Sequence, residues 1–583
     1  MYSQTEVNGI DSDLDFFPSN LPNLNDTSRN ICEGIIEERE CMEILKEMKL
    51  NKSPGNDGLS AEFYITFWPV IGDLVLASFN EAFKKGELAA SQRQAVITLL
   101  QKEGKDANYI KNYRPISLLN VDYKLLSKIL SKRLQKVLHE IIAPDQLGYV
   151  KNRNIGEAIR IIDDMIFHTT SHKLKAFLVA IDFEKAFDSV SHSFLHKVLK
   201  SFGFGPLFCK WVNILYNNAQ SCVMNGGIST GYFDIGRGVR QGDPLSPYLF
   251  ILYIEILAHM IRNNQQVKGI SFGQTEVKQV LYADDITLFL SDRNSIKEIE
   301  LIFDGFYKIS GLRLNKDKTF ILPLGSMLSN DTFTLGKKVE VVKILGIYFS
   351  LRIDIKEEMN YKEILSKIKL LTWWKQRDLT LLGKIQLMKV YGYSKLIYMS
   401  SLLPVPEWVF TEIEKMCFDF LWRGKDKIKR NIMVLDYEQG GLKMMNFRSF
   451  VKAQRIMWIK RLVTGTQATK WKQYFKFLMR PMGGNLIFYC NYWKDTVDIL
   501  LPTFYQDLLC AWIDMKNYIK VEERYRGNEI IFNNEFIQIE DHTVFNENMF
   551  LKNVYRLHHI CDEDGSLKPE AYFKLMGLNE EDI

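Results

Sequence analysis

Apolar positions along the chain follow two rhythms. Over residues 35–50 they recur every three to four positions, with Ile36, Met42, Ile44, Leu45 and Met48 forming one face among charged residues. That spacing predicts a helix. The turn-forming string Asn51-Lys-Ser-Pro-Gly-Asn-Asp-Gly58 ends it, and residues 62–85 resume the helical period with an interruption at Pro69. Residues 123–142 predict a basic amphipathic helix, whose Lys124, Lys128, Lys132, Arg133 and Lys136 either meet phosphates or form a solvated face. The second rhythm is the short continuous apolar run. Residues 95–100 predict a strand, with a turn at Arg114-Pro115, and residues 176–181 a buried strand ending at Asp182. Val280 to Tyr282 and Ile286 to Leu290 flank Asp284-Asp285, which reads as a hairpin with an acidic tip. After Gly346 the helical period returns in Met359, Ile364, Ile368 and Leu371, then in Leu381, Ile385 and Met388. Pro404 and Pro406 break it before residues 408–422 restart it. No internal repeat is visible.

Composition narrows the class. The 583 residues, 46% hydrophobic and 25% charged, suit a globular chain of roughly three to five domains and exclude fibrous, disulfide-scaffold and fully disordered proteins. The most apolar stretch, residues 247–260, is short for a membrane span and holds Glu255, so no membrane association is expected. Cysteines 32, 41, 209, 222, 417, 490, 510 and 561 form no CxxC pair, which predicts reduced, mostly buried thiols in an intracellular protein. The net charge is +5, but residues 1–50 carry 4 basic against 11 acidic side chains, leaving +12 for the remainder. Residues 1–30, rich in Asp, Asn, Ser and Pro, read as a flexible acidic leader.

The acidic residues at strand ends carry the chemistry. If Asp182, Asp284 and Asp285 converge, their mutual repulsion calls for a cation. Mg2+ fits, because it takes oxygen ligands, keeps waters and binds substrate phosphates. Two such ions serve phosphoryl transfer by activating a hydroxyl and stabilising a departing pyrophosphate. Against this stands the simpler reading of Asp284-Asp285 as a solvated turn, with Asp188 as a helix-capping residue.

The surrounding segments add a resemblance. Tyr282-Ala-Asp-Asp285, Ala180-Ile-Asp-Phe-Glu-Lys-Ala-Phe-Asp-Ser-Val190 and Arg237-Gly-Val-Arg-Gln-Gly-Asp-Pro-Leu-Ser-Pro247 resemble, in wording and order, reverse transcriptases of the long interspersed element class of non-LTR retrotransposons. Asn51-Lys-Ser-Pro-Gly-Asn-Asp-Gly58, Asn112-Tyr-Arg-Pro-Ile-Ser-Leu118 and Gln146-Leu-Gly-Tyr-Val-Lys-Asn-Arg153 extend the likeness upstream. Gly311-Leu-Arg-Leu-Asn-Lys-Asp-Lys-Thr319, Leu345-Gly-Ile347, Trp422, Gly440-Gly441 and Trp458 extend it downstream, so that it spans roughly residues 33–460.

The resemblance implies an α+β right-hand polymerase fold of fingers, palm and thumb with a helical C-terminal extension. Its expected boundaries are a leader at 1–30, N-terminal extension and fingers at 31–175, palm at 176–355 with interleaved fingers elements, thumb at 356–430 and a helical domain at 431–583. It implies an RNA-directed DNA polymerase that extends a primer 3′-hydroxyl with dNTPs on an RNA template. Asp182 and Asp284 would hold two Mg2+ ions, with Asp285 and the Phe183 carbonyl completing the metal set. Phe187 would exclude a ribose 2′-OH, and Gln241 and Gly242 would lie beneath the nascent base pair. Lys102 and Arg114 would meet the triphosphate, although the likeness would place Pro where Gln101 stands. Lys318 would protonate pyrophosphate, and Asn51, Lys52 and Arg153 would contact the template. The thumb would follow an RNA–DNA hybrid through phosphate and sugar.

Only 52 residues precede the Ser53-Pro-Gly turn, too few for the endonuclease usual in this class, so target-primed synthesis would need a separate nuclease partner if the chain is complete. His558, His559 and Cys561 are too crowded for a zinc knuckle, and no RNase H signature stands in the last 120 residues. A role in retrotransposition would place the protein in nucleus and cytoplasm. Two rivals share the motifs: a catalytically silent RNA-binding scaffold, and a host-domesticated reverse transcriptase used in repair.

Overall fold

The computed structural model describes residues 17–325, 333–422, 425–464, 469–480, 500–516, 530–532, 538–539, 542–543, 545–552, 554–562 and 567–578. The chain divides into two units, one of residues 1–158, 175–270 and 277–342, the other of 159–174, 271–276 and 343–583.

In the first unit, strands β1 (Gln94–Gln101), β2 (Tyr113–Leu119), β4 (Gln220–Asn225), β5 (Ile228–Ser229) and β6 (Phe233–Asp234) form one sheet. β1 pairs antiparallel with β2 and parallel with β4. Arg114-Pro115 therefore lies within a strand, not at the expected turn. β2 is an edge strand, and Pro115 stands opposite Leu99, where the edge tolerates the missing N–H. The second sheet holds β3 (Ala176–Ile181), β9 (Gln279–Tyr282), β10 (Asp285–Leu290), β11 (Phe320–Leu324) and β12 (Lys337–Lys338), in the order β12-β11-β3-β10-β9. Its pairings are antiparallel except β11 with β12. The short strands β7 (Ile270–Phe272) and β8 (Thr275–Val277) pair with each other, as do β13 (Val341–Ile344) and β14 (Ile347–Ser350).

Helices cover these sheets. α1 (Asp26–Cys32) and α2 (Glu38–Glu47) precede α3 (Ala61–Lys85), the short α4 (Ala90–Arg93) and α5 (Val121–Ile141). α6 (Ile155–Ser171) runs between stretches assigned to the two units. α7 (His192–Ser201), α8 (Pro206–Tyr216), α9 (Ser246–Asn263) and α10 (Arg293–Ser310) complete the first unit. Its core joins Leu125, Leu130 and Leu134 of α5 to Phe250, Ile254 and Leu257 of α9 and Val179 of β3. The apolar stretch 247–260 is thus α9, a buried helix.

Several expectations need amendment. α3 continues through Pro69 without a break. Pro69 and Ile65 both face solvent, where water can serve the carbonyl that proline leaves unpaired. α3 is also the one helix among the described residues long and apolar enough to cross a membrane by length and composition, although Tyr64, Trp68, Phe79 and Ala82 are buried in the core. Within the expected leader, residues 1–16 lie outside the described residues. Asp26–Cys32 is helical, with Asn25 capping it and Cys32 fully buried. Of the described cysteines, Cys32, Cys41, Cys209, Cys222 and Cys417 are free and buried; Cys490 lies outside the described residues.

The second unit is mainly helical. It includes α11 (Ile353–Lys369), α12 (Leu381–Leu387), α13 (Ser394–Leu402), α14 (Glu407–Trp422), α15 (Arg430–Val434), α16 (Phe447–Thr464), α17 (Lys470–Met479) and α18 (Thr503–Lys516). Ile368, Leu371, Ile385 and Met388 of the stripe legible in the sequence pack with Leu365 against Ile413, Phe420 and Phe447 in a separate core, whereas Met359 is exposed.

Candidate active site

Two neighbouring central strands deliver the aspartates to one edge. β3 and β10 run antiparallel with Ile181 opposite Ile286, so Asp182 leaves β3 where Asp285 enters β10. Asp285 pairs across the tight turn with Tyr282, leaving Ala283 and Asp284 as the turn residues. Burial raises the pKa of Asp284, and the Asp182 charge raises it further. Asp285 is pushed up to about 6 by burial first, then by Asp284 and Asp182. Asp285 remains exposed to solvent. Burial also raises Asp182, while Lys318 and an Asn315 side-chain hydrogen bond oppose that shift. The three carboxylates therefore share one electrostatic neighbourhood.

The loop before β11 fixes Asp182. Asn315 N–H donates to the Asp182 carbonyl at 2.8 Å, and Asp182 N–H donates to Thr319 Oγ1 at 3.4 Å. Glu184 N–H donates to the Arg313 carbonyl at 2.9 Å, and Phe183 bridges Leu314. Lys318 Nζ stands 3.8 Å from Asp182 Oδ2, a buried oxygen without a hydrogen-bond partner. That oxygen has the character of an open ligand position. Among the described residues, no group of three or more histidine, cysteine, aspartate or glutamate side chains is placed to hold a metal ion. Mg2+ commonly needs only one or two carboxylates, with waters and substrate phosphates filling its shell, so these acids fit a site completed by substrate.

A second cluster forms on the segment that follows Asp182. Phe187 stacks on Phe250 with centroids 4.6 Å apart and planes 13° from parallel. Its carbonyl accepts from Val239 N–H at 2.8 Å, and Gly238 N–H donates to the Val190 carbonyl at 2.7 Å. The same segment then meets β2, where Ser117 N–H donates to the Gln241 carbonyl at 2.8 Å. Gly242 has φ +111°, and a Cβ there would lie 2.7 Å from the Ser117 carbonyl oxygen. Only glycine suits both conditions. Asp243 anchors this turn from below, accepting from Ser127 Oγ, from Ser246 Oγ at 3.0 Å and from Leu245 N–H at 3.4 Å. Neither Asp243 nor Asn315 and Thr319 was singled out by sequence reasoning, although all three stand inside recognised motifs. Their types signalled only hydrogen bonding; which strand each would meet depends on the fold.

Other expected residues are placed differently. Arg114 is exposed on β2, opposite Leu100. Lys102 Nζ donates to the Lys111 carbonyl at 3.0 Å. Asn51 and Lys52 are exposed, and Asn51, at φ +56°, donates its N–H to Glu62. Among the described residues, no hydrogen bond or ion pair joins Lys102, Asn51 or Lys52 to the aspartates. Arg153, expected at the template, instead donates to the carbonyls of Ile142, Ala143 and Gln146, and burial lowers its pKa. α5 likewise departs from the phosphate reading. Arg133 grips Glu40 with two nitrogens and donates to the carbonyls of Cys32, Glu33, Gly34 and Ile35, while Lys132 pairs with Glu47.

A carboxylate edge on a mixed α+β scaffold, fed by strands from distant parts of the chain, defines a polymerase-like site. Residues 100–349 match the family described as reverse transcriptase (RNA-dependent DNA polymerase). The chain carries that domain, and its relatives at low to moderate identity include proteins of non-LTR retrotransposable elements. It is 32% identical over 507 residues to the "Transposon TX1 uncharacterized 149 kDa protein" of Xenopus laevis, covering 84% of this chain and 38% of that protein. It is 28% identical over 317 residues to the "Retrovirus-related Pol polyprotein from type-2 retrotransposable element R2DM" of Drosophila melanogaster, covering 52% and 29% respectively. The "RNA-directed DNA polymerase from mobile element jockey" of Drosophila funebris is 26% identical over 252 residues, covering 43% and 27%. The chain thus spans about two fifths or less of each relative's length.

Proposed function

We propose that the chain extends a primer 3′-hydroxyl with dNTPs on an RNA template, releasing pyrophosphate. The convergence of Asp182 with the Asp284-Asp285 turn, inside the matched domain, is the observation that carries this reading. The two sheets of the first unit and their helices then serve as fingers and palm, and the helices from α11 onward as thumb and extension.

Asp182 and Asp284 would hold two Mg2+ ions, with Asp285 and the Phe183 carbonyl assisting. When bound, the ions would polarise the attacking hydroxyl and offset charge on the departing phosphate. The protein's own groups supply orientation. Phe187, backed by Phe250, blocks a 2′-OH and favours dNTPs. The Gln241-Gly242 turn, held on Ser117, supports the nascent base pair. Arg114 grips triphosphate oxygens through its planar fork, with Lys102 as a mobile point charge. Lys318 Nζ, beside Asp182, delivers a proton to pyrophosphate. Asn51 and Lys52 remain the template-side candidates. Target-primed synthesis at a nicked DNA end, with a nuclease partner, is the proposed setting in view of the retrotransposon relatives.

Primer extension on a defined RNA template with Mg2+ tests the proposal, using all four dNTPs and a parallel rNTP reaction. Extension with dNTPs is expected, and Asp284→Ala/Asp285→Ala should abolish it. A folded, hybrid-binding protein that extends nothing on RNA or DNA would instead establish the scaffold reading.

A further inference from the structure

The turn that carries Asp284 is held from outside its own hairpin. Ala283, the first turn residue, has φ +56°, a left-handed conformation in which an L residue's Cβ crowds its backbone. Gln146, fully buried, supports that conformation. Its Oε1 accepts from the Ala283 N–H at 3.0 Å and from the Gly148 N–H at 2.9 Å, and its Nε2 donates to the Ala283 carbonyl at 3.5 Å. One amide side chain therefore engages both backbone polar groups of Ala283.

The segment around Gln146 lies along β9. Leu281 N–H donates to the Asp145 carbonyl at 2.8 Å, and Leu147 N–H donates to the Leu281 carbonyl at 2.7 Å. Gly148 permits the close approach, since a Cβ there would stand 2.6 Å from the Ala283 nitrogen. The segment is itself anchored. Arg153 donates to the Gln146 carbonyl at 2.6 Å, and Arg262 grips Asp145 with contacts of 2.7 and 3.0 Å. Gln279 Nε2 adds a third bond to Asp145 at 3.0 Å.

We infer that Gln146 is a positioning residue for the catalytic turn: by clamping Ala283 it fixes the direction in which Asp284 and Asp285 face Asp182. The inference rests on the polymerase reading above. Two N–H groups converge on one oxygen while a carbonyl faces the amide nitrogen, so the site calls for a neutral side chain with both acceptor and donor. An aliphatic side chain would leave two buried N–H groups without their partner. A carboxylate would keep the acceptor but add negative charge near acids that already raise one another's pKa. The clamp also gives Arg153 its place, as an outer anchor of the turn.

Gln146→Met keeps the length and removes every hydrogen bond; Gln146→Glu keeps the acceptor. For Gln146→Met, the turnover rate in primer extension should fall roughly ten- to a hundredfold. The KM for dNTP and the affinity for template-primer should stay close to the parent's, and the melting temperature should fall by the cost of two unpaired buried N–H groups while the protein stays folded at the assay temperature. Amide hydrogen exchange in residues 280–285 should accelerate, and Gln146→Glu should retain more rate than Gln146→Met. An unchanged turnover rate, unchanged exchange over 280–285, or a rate loss that merely tracks melting temperature or template affinity would overturn the inference. Failure of the parent chain to extend any primer would overturn the polymerase reading instead, while hydrogen exchange would still test the clamp.

Discussion

Asp188 sits six residues past Asp182, buried beside Gly238, and its carboxyl pKa is pushed up to about 6 by burial, with Lys185 as the opposing charge. Because its folded pKa is raised, the carboxyl favours folding least once it is ionised: stability is full below pH 3.8 and is lost as pH rises through about 6. Asp188→Asn should therefore stabilise the protein by about 2 kcal/mol at pH 7.5 and by little at pH 4, as measured by urea unfolding at both values. Equal gains at the two pH values would show that charge burial is not the cause. Phe187 offers a second test at this scale. Trimming it to Val should raise rNTP incorporation relative to dNTP by on the order of ten- to a hundredfold, with primer extension rate as the readout. The aspartates were legible because the motifs around them agree in order; the pair alone reads equally well as a solvated turn. Gln146 and Asn315 were not, because a neutral amide gains meaning only from the strand it meets in three dimensions.

Elements were legible where period and burial agreed. The run Ala176–Ile181 became β3, and the stripe through Ile368 became a helix face in its own core. The two prolines misled for one reason: Pro69 and Pro115 lie where no protein partner is needed, on a solvent face and on a sheet edge, and exposure is not written into a local string. The basic face of α5 was ambiguous in the sequence because lysine and arginine look alike whether they meet phosphate, solvent or another element of the fold. Arg133→Ala should thus cost about 3 kcal/mol of unfolding free energy by leaving Glu40 and several carbonyls unpaired, whereas Lys136→Ala, exposed near the same helix end, should cost little. The Gln241-Gly242 turn was legible as a motif, but its need for glycine was not. Gly242→Ala should destabilise by about 1–3 kcal/mol and reduce primer extension, since it meets both a positive φ and the Ser117 carbonyl.

Across the whole molecule, each unit has its own core and its own buried charge network. In the first, Arg262 pairs with Asp145 and Glu255. In the second, Arg160 of α6 meets Asp163 and Asp164, Lys356 of α11 meets Asp163, and Tyr505 of α18 donates to Asp164 at 2.6 Å. The neighbouring acids respond oppositely. Asp163 has two cations, Lys356 and Arg160, which hold it down to about 2 despite burial. Asp164 shares only Arg160, and burial prevails, pushing it up to about 7. A depressed acid contributes stability above its ordinary pKa of 3.8 and loses it as pH falls toward about 2. Removing the Lys356 charge should therefore weaken α6's hold on α11 most at neutral pH. Lys356→Met should lower the stability of the second unit by about 3 kcal/mol at pH 7. The first unit should keep its protection, so hydrogen exchange resolved along the chain should rise across 343–464 and remain unchanged through β3 and α9. The difference from the parent should narrow as pH falls from about 4 toward 2. A uniform rise in exchange through both units would mean that they unfold as one cooperative body, and a pH-independent difference would mean that Lys356 stabilises by packing rather than by its charge.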